Sequence, residues 1–212
     1  KYASECIGLE VYDENEPDRF YLRMDNWHHR FVMHTGASDD LAYMGWRVAG
    51  EPELHEMEAL LRENGVEYSV GTIEENEERR VLGHLKLNDP AGTPIEIFYG
   101  PRVDLHLPFH PGRRMHGRFV TNNAGLEYHL GTPNEVIKPI FMHCNDRQHS
   151  IAFGVPSDGK MLNHMMLEYT HLDDLGASHD VVRKREIPVA LQLGKHANDK
   201  ALTFYSQTPS GW

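Results

Sequence analysis

Two neighbouring segments in the second half of the chain carry histidines that could do chemistry together. Residues 141–150 contain His149, and residues 162–168 contain His164. Both segments alternate and are rich in strand-forming residues, so we predict a hairpin between them with its turn near residues 156–159. Such a hairpin would bring the two imidazoles to one point. One imidazole could then bind a metal ion while the other moves a proton.

A third polar group follows at residues 194–199, shortly before Tyr205. The turn-like run there can place His196 and Asp199 side by side. A carboxylate beside an imidazole fixes which ring nitrogen carries the proton. The phenol of Tyr205 can donate a hydrogen bond to an anionic oxygen. The alternative is an ordinary polar turn of a hairpin, which needs no function.

An internal repeat separates these candidates. The second half of the chain repeats the order of the first at an offset of 120 positions, as between His29 and His149. The same offset places Met44 over His164. A structural role would not need an imidazole in place of an apolar residue, so we interpret His164 as a metal ligand rather than a core histidine. His149 is weaker evidence by itself, because its counterpart is also a histidine.

The elements that must position these residues occur in the same order twice. Apolar spacing and Pro52 near the start predict a helix at residues 52–64, and a second helix is expected at residues 173–185. Strands are predicted at residues 8–11, 19–24, 30–34, 43–48, 81–87 and 95–99. Two copies of one unit with several strands per helix predict an α+β fold of tandem βαβββ modules, with mixed curved sheets and outer helices.

The repeat divides the chain into three parts. We predict an N-terminal βαβββ-type domain without metal at residues 1–102, a linker at residues 103–123 and a C-terminal catalytic domain at residues 124–212. Residues 1–6 are interpreted as the end of a helix. The charged side chains of the linker, Arg113 among them, are expected to be solvated.

The second copy lacks parts that the repeat leads us to expect. A strand and a helix, roughly thirty residues by usual element lengths, are expected near Leu126 and Glu127 but are not found there. The chain also stops at Trp212, before the closing strand that the first copy has at residues 95–99. We therefore expect a gap near position 126/127 and a missing C-terminal segment.

Composition narrows the class of protein. Of the 212 residues, 40% are hydrophobic and 25% charged, as in globular proteins with a core. The formal net charge of -11 argues against nucleic acid or an anionic membrane as a partner, and no apolar run reaches the length of a membrane helix. The two cysteines, Cys6 and Cys144, fit a reducing cytoplasm. Nucleotide-binding, nucleophile-elbow and zincin motifs are absent.

These residues resemble the type I extradiol ring-cleaving dioxygenases of the vicinal oxygen chelate superfamily, close to the 2,3-dihydroxybiphenyl and 1,2-dihydroxynaphthalene dioxygenases. Four motifs carry the resemblance together: HCNDRQHS at 143–150, NHMMLE at 163–168, GKHAND at 194–199 and FYSQTPSG at 204–211. The resemblance implies an enzyme that opens a catechol ring next to its diol with insertion of both atoms of O₂. A bicyclic aromatic diol and a homo-oligomer are expected on the same ground.

The resemblance also implies a metal. Fe(II), with Mn(II) as the alternative, is expected to be held by two His and one Glu. His164 matches one His ligand, and the other His and the Glu are expected in segments outside the 212 residues. His129 is not taken as the missing ligand, because it lies too close in the chain to His149 for the expected strand and helix.

The same resemblance assigns roles around that metal. His149 matches the acid/base histidine of the family. His196 and Tyr205 match residues that hydrogen-bond the catecholate oxygens, and Asp199 orients His196. Residues matching the lining of the substrate pocket are Phe141 and Asn198. Gln148 departs from the family, where a second His is common at this position.

Three other interpretations use the same fold. A glyoxalase-like metal isomerase would need carboxylate ligands from both copies, and Met44 argues against it. A non-catalytic ligand-binding protein would lack the set formed by His149, His196 and Tyr205. Decay of the metal-binding half is the remaining alternative.

Overall fold

The computed structural model describes residues 1–90, 92–121, 125–128, 140–154 and 162–212. It divides into two compact units, one formed by Lys1–Asp40 with Leu105–Trp212 and the other by Leu41–Asp104. The predicted division at residues 102 and 123 concerns the repeat along the chain and stays a prediction. None of the helices in the described ranges combines the length and apolar character that crossing a bilayer requires.

The N-terminal part of the first unit is a short helix followed by a small sheet. A π-helix occupies Tyr2–Ile7, where the end of a helix is predicted. The strands that follow are β1 (Glu10–Tyr12), β2 (Arg19–Arg23) and β3 (Phe31–His34). They form an antiparallel sheet in the order β1-β2-β3, which confirms the three strands predicted in this part. The core of this unit contains Leu9, Leu22, Met24, Phe109 and Phe119.

The unit of residues 41–104 contains one mixed sheet. Its elements are β4 (Met44–Arg47), α1 (Glu51–Glu63), β5 (Tyr68–Val70), α2 (Ile73–Arg79), β6 (Gly83–Asn88) and β7 (Pro94–Tyr99). The strand order is β4-β7-β6-β5, so β7 lies between β4 and β6. Leu54 and Leu61 of α1 pack with Leu85 and Ile97 of the sheet, which confirms the helix predicted from apolar spacing.

Helix α2 is an element that the sequence analysis missed. Most of its residues are charged and none is buried, so no apolar stripe marks it. A capping box is the signal that could have found it. The Thr72 hydroxyl accepts a hydrogen bond from the Glu75 amide at 3.2 Å, and the Glu75 carboxylate accepts one from the Thr72 amide at 2.8 Å.

The described residues of the second half form two sheets and one long helix. Its elements are β8 (Gly125–Tyr128), β9 (Ile140–Met142), β10 (Ile151–Phe153), β11 (Leu162–Met166), α3 (Leu172–Lys184), β12 (Val189–Lys195) and β13 (Leu202–Ser206). Four strands form a mixed sheet in the order β11-β8-β10-β9, while β12 and β13 form an antiparallel pair. Helix α3 confirms the second predicted helix.

The predicted hairpin between residues 141–150 and 162–168 is wrong. Strand β8 lies between β10 and β11, parallel to β10 and antiparallel to β11. The turn expected near residues 156–159 lies outside the described residues, as does His129. Pairing between strands that are distant along the chain leaves no local pattern, so alternation alone suggested the simpler hairpin.

Residues 143–150 form a loop rather than a continuation of the strand, because polar groups there bond locally. The side chain of Asn145 accepts a hydrogen bond from the Arg147 amide at 3.0 Å. The Ser150 amide donates to the Met142 carbonyl at 2.8 Å. Such side-chain and turn bonds compete with strand pairing. The chain therefore leaves the sheet after β9 and returns to it at β10.

Part of the linker is held by a buried carboxylate, and the expectation that Arg113 is solvated is wrong. Asp174, in the first turn of α3, is fully buried and accepts hydrogen bonds from the amides of His116 at 2.9 Å and Gly117 at 2.8 Å. Arg113 donates to the Ser178 hydroxyl at 2.7 Å. Burial alone raises the pKa of Asp174, but the two amides and Arg113 hold that pKa below its usual value.

A buried cation holds the same linker from the N-terminal sheet. The side chain of Arg23 on β2 is 1% exposed. It donates to the carbonyls of Leu107 at 2.6 Å and Trp27 at 3.0 Å. It also donates to the Glu10 carboxylate at 3.0 Å. A buried charge is tolerated only when it is paired and hydrogen-bonded in this way, so these contacts fix the linker backbone.

Candidate functional site

A cavity of about 270 Å³, here called the site cavity, lies within the unit that contains β11 and the β12–β13 pair. Its lining residues are Phe141, His149, His164, Met166, His196, Ala197, Asn198, Asp199, Ala201, Thr203 and Tyr205. All seven residues singled out from the sequence are among them. The structure therefore brings these side chains together, although the hairpin that was expected to do so does not exist. Their chemical roles stay predictions.

His149 reaches the site cavity from the end of the loop that precedes β10. Its ring lies against that of Phe141 on β9, with 4.9 Å between the ring centroids. The side-chain oxygen of Gln148 contacts Nδ1 of His149. The imidazole is thus held by a strand residue on one side and by its neighbour in the loop on another.

His164 lies on β11 with its ring half-buried at the cavity wall. Nδ1 of His164 lies 2.8 Å from the side-chain oxygen of Asn163, which accepts the Nδ1 proton. The ring edge meets Tyr205 of β13, with 4.8 Å between centroids. A partner on Nδ1 fixes the tautomer and leaves Nε2 as the nitrogen able to bind a metal.

The turn between β12 and β13 supplies the acidic part of the cavity. Nδ1 of His196 donates to the Asp199 carboxylate at 3.1 Å, and Nε2 of His196 lies 3.4 Å from the Tyr205 hydroxyl. Burial alone raises the pKa of Asp199, but the Ala201 amide and His196 lower it below its usual value. Asp199 is therefore ionised at neutral pH and keeps a proton on Nδ1 of His196.

The described residues do not complete a metal site. Within residues 1–90, 92–121, 125–128, 140–154 and 162–212, no group of three or more His, Cys, Asp and Glu side chains could hold a metal ion. His164 supplies one imidazole at the site cavity. A metal held here would need further donors.

A second cavity of about 510 Å³ adjoins the first and was not expected from the sequence. The two share the lining residues His149, Met166, Asp199, Ala201 and Thr203. The second cavity adds the ion pair between Arg147 and Glu168. Met166 follows His164 by two positions on one strand, so alternation could have identified it as a lining residue.

Both cavities lie beside two strands that belong to different sheets. Residues of β11 and of β13 line each of them. In the unit of residues 41–104, the corresponding strands β4 and β6 are joined by β7, which pairs with both. In the described part of the chain, no strand pairs β11 to β13.

Comparison with known proteins gives a consistent set of relatives. The chain is 54% identical to a biphenyl-2,3-diol 1,2-dioxygenase of Sphingomonas paucimobilis, over the whole chain and 80% of that protein. It is 52% identical to a 1,2-dihydroxynaphthalene dioxygenase of Sphingobium xenophagum, again over the whole chain and 80% of that protein. A crystal structure of a catechol 2,3-dioxygenase matches with a TM-score of 0.94 at 50% identity, covering all of this chain and 79% of the other. No family model matches the chain.

The alignments with these relatives are longer than the chain itself. Each of the two sequence alignments spans 238 positions, against 212 residues here, so 26 positions of the relatives have no counterpart in this chain. This difference is close to the strand and helix that the internal repeat leads us to expect. The position of the difference, near residues 126 and 127, stays a prediction.

Proposed function

The chain belongs to the extradiol ring-cleavage dioxygenases, and from this premise we propose that it opens a bicyclic aromatic diol next to its two hydroxyls. The carbon–carbon bond adjacent to the diol breaks and both atoms of O₂ enter the ring-opened product, so no other oxidant or reductant is needed. The substrate class follows the relatives named for biphenyl-2,3-diol and 1,2-dihydroxynaphthalene. The observation that carries the proposal is the site cavity, which collects all seven side chains selected from the sequence.

Two side chains of the β12–β13 pair are proposed to bind the diol oxygens. The Tyr205 hydroxyl donates a hydrogen bond to the oxygen that has lost its proton. Nε2 of His196 accepts from the hydroxyl that keeps its proton, because Asp199 holds the ring proton on Nδ1. The contact of 3.4 Å between Tyr205 and His196 is long, so substrate oxygens can replace it at little cost.

His149 is proposed to move the substrate proton. It lines the same cavity as Tyr205 and His196 but comes from a different segment, the loop before β10. A histidine in this position takes a proton from a hydroxyl and returns it to the product, which is worth about 10² to 10⁴ in rate. Phe141 and Asn198 form further parts of the wall and are proposed to contact the aromatic rings.

The metal is proposed to be Fe(II), with Mn(II) as the alternative, and His164 is proposed as one ligand. Among the described strands, β11 pairs with β8 alone, and this supports completion of the site by donors outside the described residues. In the other unit, β7 carries Glu96 between β4 and β6. A strand added in the same way between β11 and β13 would bring a carboxylate to His164. The second imidazole is proposed to come from a segment outside the 212 residues, at the expected gap near residues 126 and 127.

The test is turnover of defined diols after metal loading. The protein is loaded with Fe(II) without oxygen, and 2,3-dihydroxybiphenyl, 1,2-dihydroxynaphthalene or catechol is then added with air. We expect a yellow ring-opened product, formed faster from the two bicyclic diols than from catechol, and no product after chelation. Metal analysis of the purified protein should find iron. Turnover of a glutathione hemithioacetal without diol cleavage would support a glyoxalase-like isomerase instead.

A cytoplasmic location and a homo-oligomeric assembly are also proposed. Both cysteines are unpaired, which agrees with a reducing compartment. Sedimentation of the purified protein at several concentrations measures the assembly directly. A single monomeric species at all concentrations would contradict it.

A further inference from the structure

The side chain of Gln148 lies against the histidine that follows it. Its amide oxygen contacts Nδ1 of His149. An amide oxygen accepts hydrogen bonds and cannot donate them, so Nδ1 of His149 carries the proton in this contact. In a neutral imidazole the other nitrogen, Nε2, is then unprotonated.

The first copy of the repeat holds the same arrangement with a different acceptor. His28 occupies the position of Gln148 at the offset of 120, and its Nδ1 lies 2.9 Å from Nδ1 of His29. One of these nitrogens must donate and the other accept. The Glu14 carboxylate lies 3.2 Å from Nε2 of His28, and its charge favours a proton on that nitrogen. A neutral His28 therefore accepts through Nδ1, and Nδ1 of His29 is the donor.

The aromatic neighbour of the second histidine is repeated as well. Ring centroids of Tyr21 and His29 are 5.0 Å apart, and those of Phe141 and His149 are 4.9 Å apart. Tyr21 and Phe141 correspond at the same offset. In both copies, an aromatic ring and an acceptor from the preceding residue hold one imidazole. Only the second copy places that imidazole at the site cavity.

We propose that Gln148 is a positioning residue that keeps the proton of His149 on Nδ1, so that Nε2 is the nitrogen that accepts the substrate proton. Gln148 lines the second cavity and not the site cavity, so it acts through His149 rather than on the substrate. The transfer breaks the O–H bond of the diol and forms an N–H bond at Nε2. The positive imidazolium that results remains hydrogen-bonded to the amide oxygen. The role of Nε2 rests on the proposed function, whereas the position of the proton does not.

The experiment reads the proton directly, without turnover. Imidazole nitrogens of the metal-free full chain, labelled with ¹⁵N at histidine, are assigned by comparison with His149→Phe. A protonated and an unprotonated ring nitrogen have widely separated shifts. We expect the proton on Nδ1 in the native protein and in Gln148→Glu, which keeps an acceptor oxygen. Gln148→Leu removes the acceptor and should move a measurable fraction of the proton to Nε2.

A matched control makes the same chemical change elsewhere. Gln192 on β12 accepts a hydrogen bond from Arg183 at 3.3 Å and does not line the site cavity. Gln192→Leu should leave both nitrogen shifts of His149 unchanged. Should Gln148→Leu fail to fold, Gln148→Asn withdraws the oxygen by one methylene and provides the same reading.

Two outcomes overturn the proposal: a proton on Nε2 in the native protein, or unchanged His149 shifts in both Gln148→Leu and Gln148→Asn. Kinetics of the Fe(II)-loaded variants separate this proposal from the proposed function. We expect Gln148→Leu to lower kcat with little change in KM, and Gln148→Glu to restore kcat. If the proton moves as expected but kcat does not fall, the position of the proton stands and the acid/base role of His149 fails.

Discussion

The sheet of residues 41–104 and the region around the site cavity share a long helix followed by a hairpin. They differ in what their polar side chains contact. In each, a hairpin follows a long helix, β5–β6 after α1 and β12–β13 after α3. In the first region, the connection within the hairpin contains α2. Arg79 of α2 forms an ion pair with Glu96 at 3.0 Å, and Asn76 contacts Nδ1 of His84 at 2.7 Å.

In the second region, the same connection is the short turn of residues 196–201. Its side chains line a cavity instead of covering a sheet. Glu96 and His84 are buried, at 7% and 1% exposure, because α2 supplies partners from within the protein. The difference shows that one inserted short helix can cover the polar side chains of a sheet. The sheet of residues 41–104 with α2 is here called the closed region. Where that helix is replaced by a turn, polar atoms at the surface remain for a ligand to satisfy.

The largest effect is expected from removing the imidazole of His164, which has no counterpart in the first copy. His164→Ala should lose the bound metal and reduce turnover to background, because loss of a ligand exceeds the roughly 10- to 100-fold cost of losing a supporting contact. Met44→Ala changes the corresponding buried residue of the first copy. It should lower stability by about 2–5 kcal/mol while metal content and turnover stay unchanged. Metal analysis and diol cleavage measure both; retained metal in His164→Ala would contradict the ligand assignment.

The next largest effect is expected at the acid/base position. His149→Phe should keep its metal and lose about 10²- to 10⁴-fold in kcat, because the proton has no acceptor. The control is His29→Phe, which makes the same change in the first copy, away from the site cavity. Normal turnover by His149→Phe would show that the imidazole is not needed, and equal losses in both variants would show that the effect is structural.

Removing the ion pair of the closed region should lower the free energy of unfolding and leave activity unchanged. Arg79→Met leaves the Glu96 carboxylate buried without its cation, and we expect a loss of about 3–5 kcal/mol in the free energy of unfolding. The double change Arg79→Met with Glu96→Leu should recover most of that loss. Denaturant unfolding measures both variants. A single variant as stable as the native protein would mean that the ion pair does not close this sheet.

A smaller effect is expected where each region holds an imidazole by its Nδ1. Asp199→Asn weakens the contact that orients His196 and should reduce kcat/KM by about 10- to 100-fold. In the closed region, Asn76→Ala removes the corresponding contact to His84 and should change stability alone. The two kinetic measurements are compared at equal metal content. If Asn76→Ala lowered kcat/KM as much as Asp199→Asn, the distinction between the two regions would be lost.

The smallest effect is the contribution of His84, in the closed region, to the pH dependence of stability. Burial lowers the pKa of His84, so the unfolded chain binds a proton there more readily than the folded protein does. Stability from the neutral imidazole is therefore complete above the ordinary pKa of about 6.5 and is lost as the pH falls through the lower folded value. His84→Gln should remove this part of the dependence, whereas His55→Gln, at an exposed position of α1, should not. Unfolding curves between pH 5 and 8 provide the measurement.

Local patterns predicted the parts of this fold that depend on local forces. Helix α1 follows from apolar spacing and helix α3 from the internal repeat, while the lining residues follow from motifs with fixed spacing. The position of β8 between β10 and β11 could not be predicted, because pairing between distant segments leaves no periodic signal. Helix α2 could not be predicted from apolar spacing, because only its capping box marks it in the sequence.

The buried charges were hidden for a different reason. Asp174 looks like an ordinary acidic residue in the first turn of a helix, where its charge is favourable at the surface. Its partners, the amides of His116 and Gly117, are far away along the chain. A charged linker therefore looked solvated. The sequence contains the residue types of such a contact but not the distance between them.

The contacts of Asp174 and Arg23 with the linker backbone have a consequence for the engineering of this chain. Asp174 accepts hydrogen bonds from the amides of His116 and Gly117, and Arg23 donates to the carbonyl of Leu107. The number of residues between these two contacts is therefore fixed. A single inserted residue there would separate one of these charged side chains from its backbone partner and leave a buried charge without that hydrogen bond. Tags, cleavage sites and permuted termini should therefore be tolerated poorly between residues 107 and 117, although the segment looks in the sequence like the obvious place to cut.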